Sequence, residues 1–125
     1  MELTALTAIS PVDGRYRKHV HHLDEYFSEY ALIKYRVLIE IEYLQMLERK
    51  KFFKLSNKTT RFLEKLAEDM GPEDAQEIKQ IEYTTNHDLK AVEYFLKNEL
   101  EKNSHQSIIP TTSIKLKKLV CNGDV

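Results

Sequence analysis

The fold is decided by residues 28–50, SEYALIKYRVLIEIEYLQMLERK. Apolar side chains recur here at spacings of three and four residues, which is the period of an α-helix. One stripe is formed by Leu32, Tyr35, Ile39, Tyr43 and Met46, and it is widened by Val37, Leu38, Ile41 and Leu44. Residues 37–44 also alternate as a strand would, but the length of the pattern favours a helix that begins after Ser28 as N-cap. A helix this apolar needs cover on more than one side, either from other helices of the chain or from other subunits.

Three further helices follow from the same period and from their capping residues. The second is expected at residues 59–70, with an apolar face of Phe62, Leu63, Leu66, Ala67 and Met70. Gly71 is expected to end it as a C′ glycine, and Pro72 to open a short third helix with Ala75, Ile78 and Ile81 inside. The fourth is expected to start behind a capping-box-like pair, Thr85 and Asp88. Its buried stripe would contain Leu89, Val92, Phe95, Leu96 and Leu100, with Glu93 and Lys97 as an exposed pair.

Composition excludes several classes of protein. The 125 residues are 42% hydrophobic and 31% charged with a net charge of −1, which argues against disorder and against steering towards nucleic acid or an anionic membrane. Only three glycines and three prolines are present, as expected of an all-α protein. The single Cys121 permits no internal disulfide, and a spare thiol is favoured over a nucleophile. No apolar signal region follows Met1 and no run is long enough to span a membrane, so we expect a cytoplasmic protein.

Two segments carry polar residues that packing explains poorly. In residues 13–16, Arg15 and Tyr16 follow an Asp-Gly turn and could grip a phosphate, although a solvated surface turn explains the same residues. In residues 84–88, Asn86, His87 and Asp88 stand at a predicted helix start, where free amide groups favour carboxylate or phosphate oxygens. A well-capped helix in which His87 is incidental explains that pattern too, and the residues alone favour it.

Two other clusters are interpreted as solvated surface. The histidines His19, His21 and His22 lie close together, but no cysteine or carboxylate pattern completes a recognised metal site. The basic run 115–118 has no aromatic platform for nucleic-acid bases. We therefore expect no metal and no nucleic acid as a partner.

Three blocks together resemble the start of bacterial adenylosuccinate lyases. They are residues 3–16, LTALTAISPVDGRY, residues 27–37, FSEYALIKYRV, and residues 81–96, IEYTTNHDLKAVEYFL. The resemblance covers most of residues 1–102 and implies the N-terminal helical domain of the all-α fumarase/aspartase-like fold. It also implies elimination of fumarate from adenylosuccinate, giving AMP, and from the succinylated carboxamide ribotide of purine biosynthesis, by general acid–base chemistry without a cofactor.

The resemblance assigns site residues as well. Arg15 and Tyr16 match the family pair that holds the nucleotide, and Asn86, His87 and Asp88 match the family segment at the substrate. His87 would orient or polarise the succinyl end, in a supporting role.

The remainder of the chain departs from the family pattern. Residues 108–118 do not align with the family segment that bears a Thr-Ser pair, although Thr112-Ser113 is such a dipeptide. The family's general-acid histidine, its base-bearing loop and most of the central bundle that builds its tetramer would come later. We therefore expect residues 103–125 to be a divergent tail and the chain alone to be inactive. The alternative function is a non-enzymatic helical interaction module that binds partner helices through apolar faces, or a truncated remnant of the lyase.

Overall fold

The computed structural model describes residues 1–103, and within them the chain is all-α, as predicted. The helices are α1 (Arg17–Val20), α2 (Asp24–Phe27), α3 (Glu29–Arg49), α4 (Asn57–Asp69), α5 (Pro72–Thr85) and α6 (Asp88–Lys102), with a 3₁₀ turn at His21–Leu23 between the first two. The described residues form two compact units that divide between Leu32 and Ile33, and each unit is described separately below. None of the helices in residues 1–103 combines the length and apolar content needed to cross a bilayer.

The first unit is built from hydrogen-bonded turns and short helices. The Thr4 carbonyl accepts the amides of Thr7 and Ala8 at 3.1 and 2.9 Å, and the Ser10 carbonyl accepts those of Asp13 and Gly14 at 3.1 and 2.9 Å. The two turns touch at Gly14, which is buried. A Cβ on this residue would lie 2.5 Å from the carbonyl oxygen of Ala5, so a glycine is required by the close approach of the two backbones.

Replacing Gly14 with alanine is therefore expected to separate these turns, at a cost of about 1–3 kcal/mol for an overpacked contact. Hydrogen exchange of the Ala8 amide, bonded to the Thr4 carbonyl, reports on the first turn directly. The matched control is Gly71→Ala, because a Cβ there meets only side-chain carboxylate oxygens, those of Glu73 at 3.3 Å and Asp74 at 3.9 Å, and no backbone. If the Ala8 amide exchanged at the same rate in Gly14→Ala and Gly71→Ala, the requirement for a glycine at residue 14 would be contradicted.

The long helix α3 begins where the sequence predicts but buries a different side. Ser28 caps it: its Oγ accepts the Ala31 amide at 3.1 Å. The buried apolar residues are Ala31, Ile33, Val37, Ile41, Leu44 and Leu47. The predicted principal stripe is wrong, since Leu32, Tyr35 and Ile39 are 46%, 43% and 64% exposed. Both sides of α3 are apolar, so the period alone does not determine which side packs inwards.

At the junction between α4 and α5, the conformation and role of Gly71 differ from the prediction. α4 begins at Asn57, earlier than predicted, because the Ser56 hydroxyl accepts the Thr59 amide at 3.1 Å. Gly71 is not a left-handed C′ residue; its φ of −109° and ψ of 178° are extended, and it is the N-cap of α5. Its amide donates to the Asp74 carboxylate at 2.8 Å. Pro72 does open α5, but that helix has 14 residues and is not short.

Helix α6 packs against α5 and carries the largest buried side chain of the second unit. Its buried apolar residues are Ala91, Val92, Phe95, Leu96 and Leu100, whereas Leu89 is 42% exposed, against the prediction. The predicted exposed pair is also wrong: Glu93 is 8% exposed and pairs with Lys90 at 3.2 Å. Lys97 instead lies 3.8 Å from Glu101. Lys102 reaches Glu77 at 3.3 Å, which ties the end of α6 to α5.

Several sequence predictions fall outside the described residues. They concern Cys121, the Thr112-Ser113 dipeptide and the basic run 115–118, and the expected tail boundary at residue 103 stays a prediction.

Candidate functional site

Arg15 is the exposed arginine of the first unit that has no carboxylate partner among residues 1–103. Its guanidinium carbon lies 4.7 Å from the centre of the Tyr16 ring, which is a cation–π contact that leaves the N–H groups available. The nearby carboxylates are engaged by Arg17, whose Nη1 pairs with Asp13 and whose Nη2 lies 2.6 Å from Asp24. The hydrogen bond that Arg17 donates to the Asp13 carboxylate is the main cause that raises the pKa of Arg17. Arg15 therefore keeps a positive charge that the described protein does not neutralise.

A shallow concavity of about 390 Å³ adjoins Arg15. Its other walls are apolar or small: Ala5, Leu6, Ala8 and Pro11. An apolar wall beside a free guanidinium suits a ligand with a planar or apolar part and an anionic group. Tyr16, 46% exposed, adds a hydroxyl within the same segment.

The second group lies at the junction of α5 and α6. Asn86 ends α5 in the left-handed conformation, with φ of 51° and ψ of 34°, and its amide donates to the Glu82 carbonyl at 2.7 Å. Asparagine tolerates this conformation better than most residues with a Cβ. His87 then has extended backbone angles and α6 starts at Asp88. A two-residue connection thus places Asn86 and His87 together, both exposed, at the start of α6.

His87, and not Thr85 as predicted, is the N-cap of α6. Its Nδ1 accepts the Lys90 amide at 3.2 Å. An imidazole nitrogen that accepts an N–H carries a lone pair, so the proton of the neutral ring lies on Nε2. Thr85 belongs to α5, and its hydroxyl donates to the His87 carbonyl at 3.3 Å. The cap therefore holds His87 in a fixed orientation and leaves Nε2–H as a hydrogen-bond donor on a side chain that is 62% exposed.

Asp88 is fixed through both carboxylate oxygens. Oδ1 accepts the Leu89 amide at 2.7 Å, and Oδ2 lies 2.9 Å from Nη2 of Arg36 on α3. The Leu89 hydrogen bond is the main cause that lowers the pKa of Asp88, and the charge of Arg36 lowers it further. A carboxyl with a lowered pKa in the folded chain favours folding above the ordinary pKa of about 4. This contribution is lost as the pH falls through the lowered pKa.

Arg36 was not among the residues that the sequence singled out. Its partner Asp88 lies far along the chain, so no local spacing in the sequence indicated the pair. Arg15 and Tyr16 belong to the first compact unit, and Asn86, His87 and Asp88 to the second. Among residues 1–103, no three histidine, cysteine or acidic side chains are grouped so as to hold a metal ion. His21 Nδ1 lies 3.1 Å from the Lys18 carbonyl.

Comparison with curated proteins places these residues in a family context. The chain is 48% identical to the adenylosuccinate lyase of Dictyostelium discoideum in an alignment 119 residues long that covers 91% of this chain. It is 49% identical to the enzyme of that name from Vibrio cholerae over 104 residues, and 47% identical to that of Escherichia coli K12 over 104 residues, each match covering 80% of this chain.

The chain is homologous to the adenylosuccinate lyases. The Dictyostelium match leaves about 11 of the 125 residues outside it, so it must include both Arg15 and the segment 86–88 wherever it starts. The chain spans about a quarter of these lyases, between 23% and 26% of their length. No protein-family model matches the chain.

Proposed function

We propose that residues 1–102 form the part of an adenylosuccinate lyase that binds the nucleotide and the succinyl group. The reaction is elimination of fumarate from adenylosuccinate to give AMP, and from the succinylated carboxamide ribotide in purine biosynthesis. The observation that carries this proposal is the 43–49% identity to several adenylosuccinate lyases, of which the Dictyostelium match includes both candidate groups. The proposal includes a cytoplasmic location and no cofactor.

Arg15 is proposed to bind the phosphate of the nucleotide. A guanidinium that meets no carboxylate of residues 1–103 and has its face on Tyr16 presents its N–H edge to an anion. The adjoining concavity offers apolar walls for the uncharged part of the ligand.

His87 is proposed to donate Nε2–H to an oxygen of the succinyl group, with the Asn86 amide beside it. In the elimination, a base removes a proton from the succinyl carbon, the electron pair of that C–H bond forms the carbon–carbon double bond, and the C–N bond breaks. A general acid then protonates the departing nitrogen. A donor at the succinyl carboxylate stabilises the negative charge that develops next to the carbon losing its proton. The base and the acid are proposed to lie outside residues 1–102, so the chain alone is proposed to be inactive.

Fumarate release from adenylosuccinate tests this proposal. The 125-residue chain is assayed alone and mixed with a full-length adenylosuccinate lyase that is inactivated at its own residue matching Arg15. We expect no release by either protein alone and measurable release by the mixture, because this chain would supply the missing arginine. The matched control is the same mixture made with Arg15→Gln chain. Equal rates in both mixtures, or no rate in either, would refute the proposed role.

The apolar side of α3 that remains exposed favours a partner. Tyr35, Leu38 and Ile39 are 43%, 40% and 64% exposed on this helix, more than a helix with one buried side requires. We propose that other helices cover this side, in a homo-oligomer or in a complex with lyase subunits. The alternative, a non-enzymatic interaction module, uses the same surface. The two functions differ in their need for Arg15. For an interaction module, replacing Arg15 would leave binding to partner helices intact and would change no enzymatic activity.

Replacing Ile39 with lysine is expected to weaken association of the chain by about tenfold or more, because a charge would be placed inside an apolar contact. Sedimentation velocity over a range of concentrations measures this effect. Glu42→Lys is the control, since Glu42 is an exposed residue of the same helix. An association constant that both variants change equally would show that the apolar side of α3 is not the contact.

A further inference from the structure

Arg36 links α3 to the first residue of α6. Its Nη2 lies 2.9 Å from Asp88 Oδ2, and its side chain is 24% exposed, so the ion pair is partly shielded from water. The neighbouring Val37 is fully buried, which anchors the backbone of α3 at this point. The guanidinium therefore comes from a packed helix and reaches a segment whose own side chains are exposed.

The pair fixes a carboxylate that stands next to the His87 ring. Asp88 Oδ1 is 3.7 Å from His87 Nδ1, the atom that accepts the Lys90 amide. A carboxylate released from Arg36 could turn towards Nδ1 and favour a proton there. A protonated Nδ1 no longer accepts the Lys90 amide, and the cap of α6 would be lost.

The other charges around His87 are already paired. On α6, Lys90 Nζ lies 3.2 Å from the Glu93 carboxylate and 5.5 Å from the centre of the Tyr94 ring. On α5, Lys79 lies 2.9 Å from Glu82. Among residues 1–103, Asp88 is thus the charged group that acts directly on the His87 ring, and Arg36 is the group that holds Asp88.

We propose that Arg36 is a positioning residue: by holding the Asp88 carboxylate it keeps Nδ1 of His87 as a hydrogen-bond acceptor and Nε2–H as the donor offered to ligand. The identity of that ligand rests on the proposed function, but the effect of Arg36 on the His87 ring does not. Arg36 itself contacts no substrate in this proposal. Lysine at residue 36 should preserve the effect, because the contact to Asp88 is made through a single nitrogen.

The test uses the full chain without substrate, as wild type and as Arg36→Gln, Arg36→Lys and Asp88→Asn. Ring nitrogen chemical shifts of His87 report which nitrogen carries the proton near neutral pH. Hydrogen exchange of the Lys90 amide reports the cap. The Thr59 amide is the internal control, because the Ser56 hydroxyl caps it in the same way at the start of α4.

In Arg36→Gln we expect exchange of the Lys90 amide to rise about two- to fivefold, the factor that corresponds to loss of a partly exposed ion pair. Exchange at Thr59 should not change. The proton population on His87 Nδ1 should increase, and the pKa of Asp88 should rise towards its ordinary value. Arg36→Lys should restore wild-type behaviour, and Arg36→Gln should have no further effect once Asp88 is asparagine.

Two results would overturn the proposal. One is equal acceleration at Lys90 and Thr59, which would mean that Arg36 supports only the general stability of the unit. The other is a His87 ring whose nitrogen shifts are the same in wild type and Arg36→Gln. Neither result bears on fumarate release, and failure of the lyase assay would leave these measurements valid, so the two proposals fail separately.

Discussion

Replacing Phe95 with alanine is expected to lower the free energy of unfolding by about 3–5 kcal/mol. Phe95 has no exposed surface and is the largest fully buried side chain of the described residues. It lies on α6 among Val92, Leu96 and Leu100, where α6 packs against α5. Removing the ring loses its transfer free energy and leaves a cavity that rigid helices fill only in part. A domain of this size has a total stability of about 5–15 kcal/mol, so the substitution should remove a large fraction of it.

Denaturant unfolding of the whole chain, followed by the helical circular dichroism signal, measures this change. The matched control is Leu89→Ala on the same helix, because the sequence pattern assigns both residues to one buried stripe. The structure buries Phe95 completely but leaves Leu89 42% exposed. We expect Leu89→Ala to cost about 1 kcal/mol or less, since little buried surface is removed. Equal costs for the two variants would support the sequence pattern against the observed packing of α6.

Replacing His87 is expected to have the largest effect on function, and two substitutions separate its two roles. Alanine removes both the N-cap and the imidazole, so the free energy of unfolding should fall by about 1 kcal/mol. Asparagine is among the best N-cap residues and can accept the Lys90 amide in place of Nδ1. It provides no imidazole Nε2–H for the succinyl group. His87→Asn should therefore retain the stability of the wild type and lose the proposed function.

The assay is fumarate release by a mixture of this chain with a full-length lyase that is inactivated at its own residue matching His87. Both variants should reduce the rate by about a hundredfold or more, within the range for a group that acts in proton transfer or stabilises its transition state. Lys18→Gln is the activity control, because Lys18 is exposed and outside both candidate groups. A His87→Asn mixture as active as wild type would show that His87 serves only as the cap of α6 and has no role towards the substrate.

The candidate site was predictable in part. Arg15, Tyr16, Asn86, His87 and Asp88 were identifiable because turn and cap residues mark positions where backbone and side-chain polar groups gather. Their roles towards a ligand stay predictions. The tautomer of His87 follows from the 3.2 Å distance between its Nδ1 and the Lys90 amide, and the ion pair of Arg36 with Asp88 from a distance of 2.9 Å. Neither distance can be predicted from the spacing of residues in the sequence.

The sequence by itself determined the all-α class, the order of the four main helices and the start of two of them. Ser28 and Pro72 act within one turn of their own positions, so these signals are local and can be recognised without a tertiary structure. The resemblance to adenylosuccinate lyases was likewise present in the order of three short blocks.

Only the tertiary structure decided which side of α3 is buried, that Leu89 faces outwards, and that Gly71 caps α5 where a left-handed end of α4 was predicted. An apolar residue is buried when another element packs over it, and that element comes from elsewhere in the chain. The pattern within α3 is apolar on both sides, so it fits either orientation equally well. Arg36 and Asp88 form a pair for the same reason: the folding of α3 and α6 into one unit brings together two charges that are distant in sequence.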